Sequence, residues 1–198
     1  MRIIGITGPT GAGKSLLTSY LDQAGIPTID ADSVYHGMLL PPSECLNSIR
    51  QAFGDGVFAP DGSLDRAKLG SLVFNSKEKL ELLNGTVLGN VLCEIRRLIS
   101  DYRRRGFDTV AVDAPTLIES GFHRECTTVI SVLAPEELRI SRIIERDCIS
   151  REKAELRVKA QKSDDFYIQS SDFVLINDGD ADKFKKDLSK LFEELGLQ

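Results

Sequence analysis

Residues 8 to 15 read Gly8-Pro9-Thr10-Gly11-Ala12-Gly13-Lys14-Ser15, and this octet limits the chain to a narrow set of folds. It fits G-x-x-x-x-G-K-S, follows the apolar run Ile3-Ile4-Gly5-Ile6 and precedes a helix-like stretch, Leu16-Leu17-Thr18-Ser19-Tyr20-Leu21. A glycine-rich turn between a buried strand and a helix lets successive backbone N–H groups curl around a polyphosphate at the positive end of that helix. Lys14 is placed to reach the terminal phosphates, and the Ser15 hydroxyl to hold a magnesium ion. The candidate nucleotide-contacting positions are Gly8, Gly11, Ala12, Gly13, Lys14, Ser15 and Leu16. The implied ligand is ATP or GTP, with Mg2+.

Beyond the loop, strand-like and helix-like segments alternate, the pattern of a parallel sheet flanked by helices. Strands are expected at Arg2–Thr7, Thr28–Asp30, Thr109–Asp113, 127–133 and Phe173–Ile176, and a helix at Lys14–Gln23. Near the C-terminus, Phe184, Leu188, Leu191, Phe192 and Leu195 recur at the spacing of an amphipathic helix covering one sheet face. Between the second and third strands the character changes. Residues 34–106 lack continuous β runs and read as several helices: one ending before Pro41-Pro42, one at Glu44–Phe53, one at 65–74 and a long one over 77–105. Gly106 is placed to cap the last. Gly85 and Gly89 weaken its middle, so a break is expected there. The run Arg103-Arg104-Arg105 reads as cations complementing the helix dipole.

Three carboxylates lie at strand ends, the side on which such sheets open to ligands. Asp30 and Asp32 close the second strand in Ile29-Asp30-Ala31-Asp32-Ser33, and either suits a base for an attacking hydroxyl or a group orienting the metal. Asp32 or Ser33 equally suits a helix cap. Asp113 ends the third strand, where a carboxylate near the metal and its waters is expected.

Positive charge is concentrated at Arg139, Arg142 and Arg146, spaced i, i+3, i+7 on one helical face. Like charges so placed repel unless an anion sits among them, although Glu136 and Glu145 relieve part of this. Arginine forks grip phosphate oxygens in pairs. Ser150 reads as the N-cap of a following helix that carries Arg157 and Gln161 on a common face. This helix pair is read as a lid that clamps phosphates.

Composition restricts the function class. A net charge of −5 disfavours a general nucleic-acid binder, which needs excess Lys and Arg to displace counterions. No apolar run reaches membrane-spanning length and the N-terminus enters a strand directly, so a cytoplasmic protein without a membrane partner is expected. The four cysteines, Cys45, Cys93, Cys126 and Cys148, form no C-x-x-C pair, and neither a zinc site nor a disulfide framework is indicated. Cys126 and Cys148 read as small buried apolar side chains. His36 and His123, far apart in sequence, read as ordinary polar or partly buried residues.

Taken together, these residues resemble the dephospho-CoA kinase family, nearly end to end. Gly5-Ile6-Thr7-Gly8 through Lys14-Ser15 is similar to its phosphate loop, and Ile29-Asp30-Ala31-Asp32 to its D-A-D segment. Phe53-Gly54, Gly62-Ser63-Leu64-Asp65-Arg66, Val73-Phe74 and Leu83-Asn84 follow the family's order through the helical insert. Pro115-Thr116-Leu117-Ile118-Glu119 is similar to its P-L-L-F-E stretch. Arg146-Asp147 with Ala154, Arg157 and Gln161 resembles the lid signature, and Asp172, Asn177 and Gly179 the closing strand and turn. The chain departs from the family pattern at Leu88-Gly89, where His-Pro is usual, at Thr116 and at Pro9.

The resemblance implies an α/β fold: a P-loop NTPase three-layer parallel sheet with a helical substrate-binding insert and a helical lid. The implied division is a nucleotide-binding core at 1–33, 107–135 and 165–198, an acceptor domain at 34–106 and a lid at 136–164. The implied reaction transfers the γ-phosphoryl group of ATP to the ribose 3′-hydroxyl of dephospho-CoA, a small-molecule substrate. By position, Asp32 is the hydroxyl-orienting base, Lys14 the phosphate ligand, Ser15 (with Asp113) the magnesium site, Arg142 and Arg146 the charge-neutralising lid residues, and Arg157 a further nucleotide contact. Two other readings use the same loop: another P-loop kinase for a nucleoside monophosphate or small molecule, and a nucleotide-gated regulatory protein. The second is weakened by the absence of an N-K-x-D segment, since the last strand ends in Asn177-Asp178-Gly179-Asp180.

Overall fold

The computed structural model describes residues 1–74 and 76–197. Alternation of short apolar runs with amphipathic stretches gives β1 (Arg2–Thr7), α1 (Lys14–Gln23), β2 (Thr28–Asp30), α2 (Ala31–Met38), α3 (Glu44–Phe53), α4 (Arg66–Phe74) and α5 (Lys77–Arg104). The chain continues with β3 (Thr109–Asp113), β4 (Thr128–Leu133), α6 (Glu136–Asp147), α7 (Arg151–Lys159), α8 (Asp164–Gln169), β5 (Phe173–Ile176) and α9 (Ala181–Leu195). The chain divides into two compact units, 1–29 with 103–198 and 30–102.

In the first unit the strands form one sheet in the order β2-β3-β1-β4-β5. The β1–β3, β1–β4 and β4–β5 pairs run parallel, with Ile6 opposite Asp113 on one side and Ile130 on the other. Central strands of such a sheet are covered on both faces, which is why β1, β3 and β4 are nearly continuous apolar runs. On one face Ile4, Ile6, Ile130 and Val132 pack against Leu17 and Leu21 of α1 and Phe184, Leu188 and Leu191 of α9. Each of these helices supplies an apolar stripe at i, i+3/i+4 spacing. Truncating fully buried Leu21 or Leu188 to Ala costs about 2–5 kcal/mol. On the other face, a Cβ on Gly5 would stand 2.7 Å from both Cys126 Sγ and Leu117 Cδ2, so the sheet's central strand has no room there for a side chain. Helices α6 and α7 share a separate small core of Ile140, Ile143, Ala154 and Val158.

The second unit is built around Cys45, Leu46 and Ile49 of α3, Val57, Phe58, and Leu69 and Val73 of α4. Ser43 caps α3, its hydroxyl accepting from the N–H groups of Cys45 at 3.1 Å and Leu46 at 3.4 Å.

Several details differ from expectation. Helix α5 runs unbroken through Gly85 and Gly89. Two glycines cost about 1 kcal/mol each relative to Ala. A helix of this length, anchored through buried Val91, Ile95 and Ile99, outweighs that. The cap of α2 is Asp30, not Asp32 or Ser33: its carboxylate accepts from Asp32 N–H at 2.9 Å and from the Ser33 hydroxyl at 2.7 Å. Ser150 does sit at the N-cap of α7, but its side chain makes no capping hydrogen bond. Cys148 is exposed and Cys126 only half-buried. Cys148 is the C-cap of α6 with φ 50°, and a residue turning the chain out of a helix is carried to the surface.

Candidate active site

The phosphate loop joins the carboxyl end of β1 to α1, in the first turn of which Leu16 N–H donates to the N-cap Gly13 carbonyl at 3.0 Å, while the amides of a helix's first turn have no i−4 acceptor within it. The loop's backbone needs glycine for reasons the structure makes concrete. Gly8 has φ +135°, and a Cβ there would come within 2.2 Å of the Val132 carbonyl oxygen in β4. Gly13 has φ +96°, and a Cβ there would meet Asn177 Nδ2 at 2.2 Å. Lys14 folds back over the loop, its Nζ donating to the Gly8 carbonyl at 3.0 Å.

Four side chains far away in sequence hold the outer surface of the loop. Arg139 Nε donates to Thr10 O at 3.1 Å, and its Nη2 donates to Gln161 Oε1 at 2.7 Å. The same Gln161 oxygen accepts from Thr10 N–H at 3.0 Å. Arg142 Nη1 donates to Gly11 O at 3.1 Å and Ala12 O at 3.4 Å, and its Nη2 to Asn177 Oδ1 at 2.9 Å. Asn177 Nδ2 donates to Ala12 O at 2.9 Å. These bonds hold the carbonyls of Thr10, Gly11 and Ala12 against α6 and the end of β5. Burial draws the pKa of both Arg139 and Arg142 below the ordinary arginine value.

A cavity of about 460 Å³ opens beside the loop. It is lined by Thr10, Gly11, Gly13, Lys14, Ser15, Asp113, Arg142, Glu145 and Arg146, which brings together five of the side chains singled out from the sequence. Arg146 is exposed, and Asp147 holds it from one side: Nε donates to Oδ1 at 2.7 Å and Nη2 to Oδ2 at 3.0 Å. Arg157 donates to the same carboxylate. Asp147 is thereby held below the usual carboxylate range, chiefly by its hydrogen bonds from Arg146, and Arg146 is raised in turn.

The remaining candidates fall elsewhere. Arg139, read from its spacing as part of a charged face with Arg142 and Arg146, is 5% exposed and serves the loop's backbone. Gly8, Ala12, Leu16 and Arg157 are not among the residues lining the cavity; Ala12 is buried in the core and Leu16 is exposed. Asp32 belongs to the second unit, exposed in the first turn of α2. Two polar roles were not legible beforehand. Glu145, one helical turn beyond Arg142, lines the cavity, and Gln161 bridges the loop to Arg139. Position on the lid pointed to Gln161, but only the packing of α6 and α7 shows what it touches.

Ser15 and Asp113 offer a hydroxyl and a carboxylate to the same cavity, hard oxygen donors of the kind magnesium takes. Among the described residues no cluster of three His, Cys, Asp or Glu forms a complete cage. The donor set fits an ion that binds few protein groups and fills its shell with water and phosphate oxygens.

A G-x-x-x-x-G-K-S loop at the centre of a β2-β3-β1-β4-β5 sheet, with Arg142 and Arg146 of α6 beside it, defines a P-loop kinase fold. The comparisons with known proteins go further. A family model described as dephospho-CoA kinase matches residues 2–183. A dephospho-CoA kinase of Symbiobacterium thermophilum is 40% identical over 183 residues, covering 92% of this chain and 77% of the relative. A solved Thermus thermophilus structure superposes with a TM-score of 0.78 at 30% identity, covering 98% of this chain and 97% of the other. A dephospho-CoA kinase from Campylobacter jejuni superposes with a TM-score of 0.70 at 25% identity, with 98% of both chains covered. The chain belongs to the dephospho-CoA kinase family.

Proposed function

We propose that this ATP-dependent kinase transfers the γ-phosphoryl group of ATP to the ribose 3′-hydroxyl of dephospho-CoA, giving coenzyme A and ADP. The observation that carries the reading is the convergence of Lys14, Ser15, Asp113, Arg142 and Arg146 on one cavity at the carboxyl end of the sheet. The loose phosphoryl transition state asks a protein mainly for position and charge stabilisation. Lys14 lies beside the β- and γ-phosphates and offsets charge as the bridging oxygen departs. Arg146, presented by Asp147, supplies a fork to the equatorial oxygens, and Arg142 adds charge from behind the loop.

The acceptor hydroxyl is oriented by Asp32, which takes its proton as the new O–P bond forms and the bond to ADP breaks. Its support is the D-A-D context and an exposed carboxylate at the start of α2. Arg157 contributes through its shared contact with Asp147. Ser15 and Asp113 would hold Mg2+, which would supply charge neutralisation on the phosphate oxygens when bound. The acceptor domain is assigned to 34–106 and the lid to 136–164, where α6 and α7 exclude water from an otherwise wasteful hydrolysis. The substrates are small molecules, and the enzyme is assigned to the cytoplasm without a nucleic-acid partner; among the described residues no helix is long and apolar enough to cross a membrane.

The test is an acceptor panel in which ADP release is followed with dephospho-CoA, AMP, CMP, UMP or water alone. ADP release dependent on dephospho-CoA is expected, and it should fall at least a hundredfold in Lys14→Ala and in Asp32→Asn. Equal turnover with water alone would defeat the kinase reading, and faster turnover with AMP, CMP or UMP would reassign the acceptor. Wild-type rates in folded Asp32→Asn would remove Asp32 from the mechanism.

A further inference from the structure

We infer that Asn177 is a positioning residue for the transfer, setting the phosphate loop and Arg142 in register through a single carboxamide. The residue follows β5 directly, and its own N–H is pinned to Leu133 O at 2.8 Å, so its Cα is fixed by the sheet. Only 3% of it is exposed. Both ends of its amide are committed in opposite senses: Nδ2 donates to Ala12 O, and Oδ1 accepts from Arg142 Nη2, each at 2.9 Å. A carboxamide donates at one end and accepts at the other without carrying charge.

The same carboxamide abuts the loop at a second point. The space beside Gly13 is closed by Asn177 Nδ2, and Gly13 immediately precedes Lys14, where α1 begins. The Ala12 carbonyl bonded by Asn177 is also approached by Arg142 Nη1 at 3.4 Å, which closes a triangle of loop carbonyl, amide and guanidinium. With its carbonyl held by Asn177 and Arg142, the Ala12–Gly13 peptide unit has its N–H turned away from those two side chains, because the N–H and C=O of a trans peptide point in opposite directions. Asn177 therefore acts on the reaction through the loop's amides and Arg142, without being placed on the phosphate itself. Positioning of this kind counts because misplacement of donors by about 1 Å can cost a hundredfold in rate.

This inference rests on the reading of the loop as the ATP site, and the experiment separates the two. Asn177→Asp keeps the acceptor for Arg142 but sets a carboxylate oxygen against Ala12 O, and Asn177→Ser is too short to reach either partner. Initial rates are measured for wild type and both variants with ATP and dephospho-CoA varied separately, together with the rise in melting temperature caused by tripolyphosphate. Expected is a tenfold or larger loss of kcat/KM for ATP in both variants, a KM for dephospho-CoA within about twofold of wild type, and a tripolyphosphate shift reduced by at least half. Combining Asn177→Ser with Arg142→Ala should cost less than the product of the single losses, since both variants break one triangle. If Asn177→Asp does not fold, Asn177→Ser carries the measurement alone. An active wild type with both ATP parameters unchanged in the folded variants would overturn the role of Asn177 alone. Equal losses toward both substrates with an unchanged tripolyphosphate shift would also overturn it, as mere loss of folded protein. A wild type showing no ATP-dependent transfer would instead remove the reading beneath it.

Discussion

Replacing Gly8 with Ala should be among the costliest single-methyl changes in this chain. Its φ of +135° lies where L-residues rarely go, a cost of about 1–3 kcal/mol. The added Cβ would also stand 2.2 Å from Val132 O and 3.1 Å from Val132 C, backbone atoms of a central strand that cannot swing aside as a side chain can. Overpacking of this sort costs about 1–3 kcal/mol. Together the two give about 2–6 kcal/mol, and at roughly 2–4 °C per kcal/mol for a chain of this size, a fall in Tm of about 4–24 °C. Gly85→Ala in α5 provides the contrast: nothing lies within 4 Å of its Cβ, and it gains up to about 1 kcal/mol in helix propensity. Differential scanning calorimetry of the two variants beside wild type should show shifts of opposite sign. Because Gly8 O is the acceptor for Lys14 Nζ, Gly8→Ala should also lose turnover at temperatures where it is still folded. A Gly8→Ala melting point within about 2 °C of wild type would refute the argument that β4 fixes the loop.

Arg146→Ala should reduce kcat about ten- to a thousandfold while the acceptor KM stays within about threefold, and an unchanged turnover number would contradict its placement at the phosphates. Under native conditions at pH 8, Ellman's reagent should titrate two thiols quickly, exposed Cys93 and Cys148. Cys45 is buried with its pKa raised, and Cys126 is pushed up to about 12 by burial and then by Glu125 and Asp172, so a third fast equivalent would contradict the packing around β1. Asp147 has its folded pKa depressed, so its contribution to stability is present above the usual carboxylate value of about 4 and lost as pH falls through the lower folded value. The Tm gap between wild type and Asp147→Asn should hold constant from pH 8 to 5 and close below about pH 4; a gap that persisted in strong acid would not come from this carboxylate.

Most strand and helix limits were legible because short continuous apolar runs mark the buried strands and apolar residues at helical spacing mark the helices, and the loop was legible because its chemistry is local. What escaped was decided by packing between distant segments. Arg139, Arg142 and Arg146 share a helical spacing, yet the first is buried against Thr10, the second is spent on loop carbonyls and Asn177, and only the third is exposed. Periodicity places side chains on a face but does not say what covers that face. The cap of α2 turned on which of three neighbouring polar residues stands in extended backbone; Asp30, at φ −88° and ψ 111°, does. Gly85 and Gly89 were overweighted because propensity is a small local penalty against the long-range anchoring of α5. The order β2-β3-β1-β4-β5, which puts β1 and its loop at the centre, is a property of crossovers that no single segment records.

The most direct measurement is a ³¹P NMR spectrum of the reaction of the purified chain with ATP, Mg2+ and dephospho-CoA. The account predicts that the γ-phosphate resonance of ATP decays as a phosphomonoester resonance grows with ³¹P–¹H coupling to the ribose 3′ proton, and that Lys14→Ala shows neither change over the same period. Growth of inorganic phosphate alone, or of a monoester coupled to another position, would contradict it.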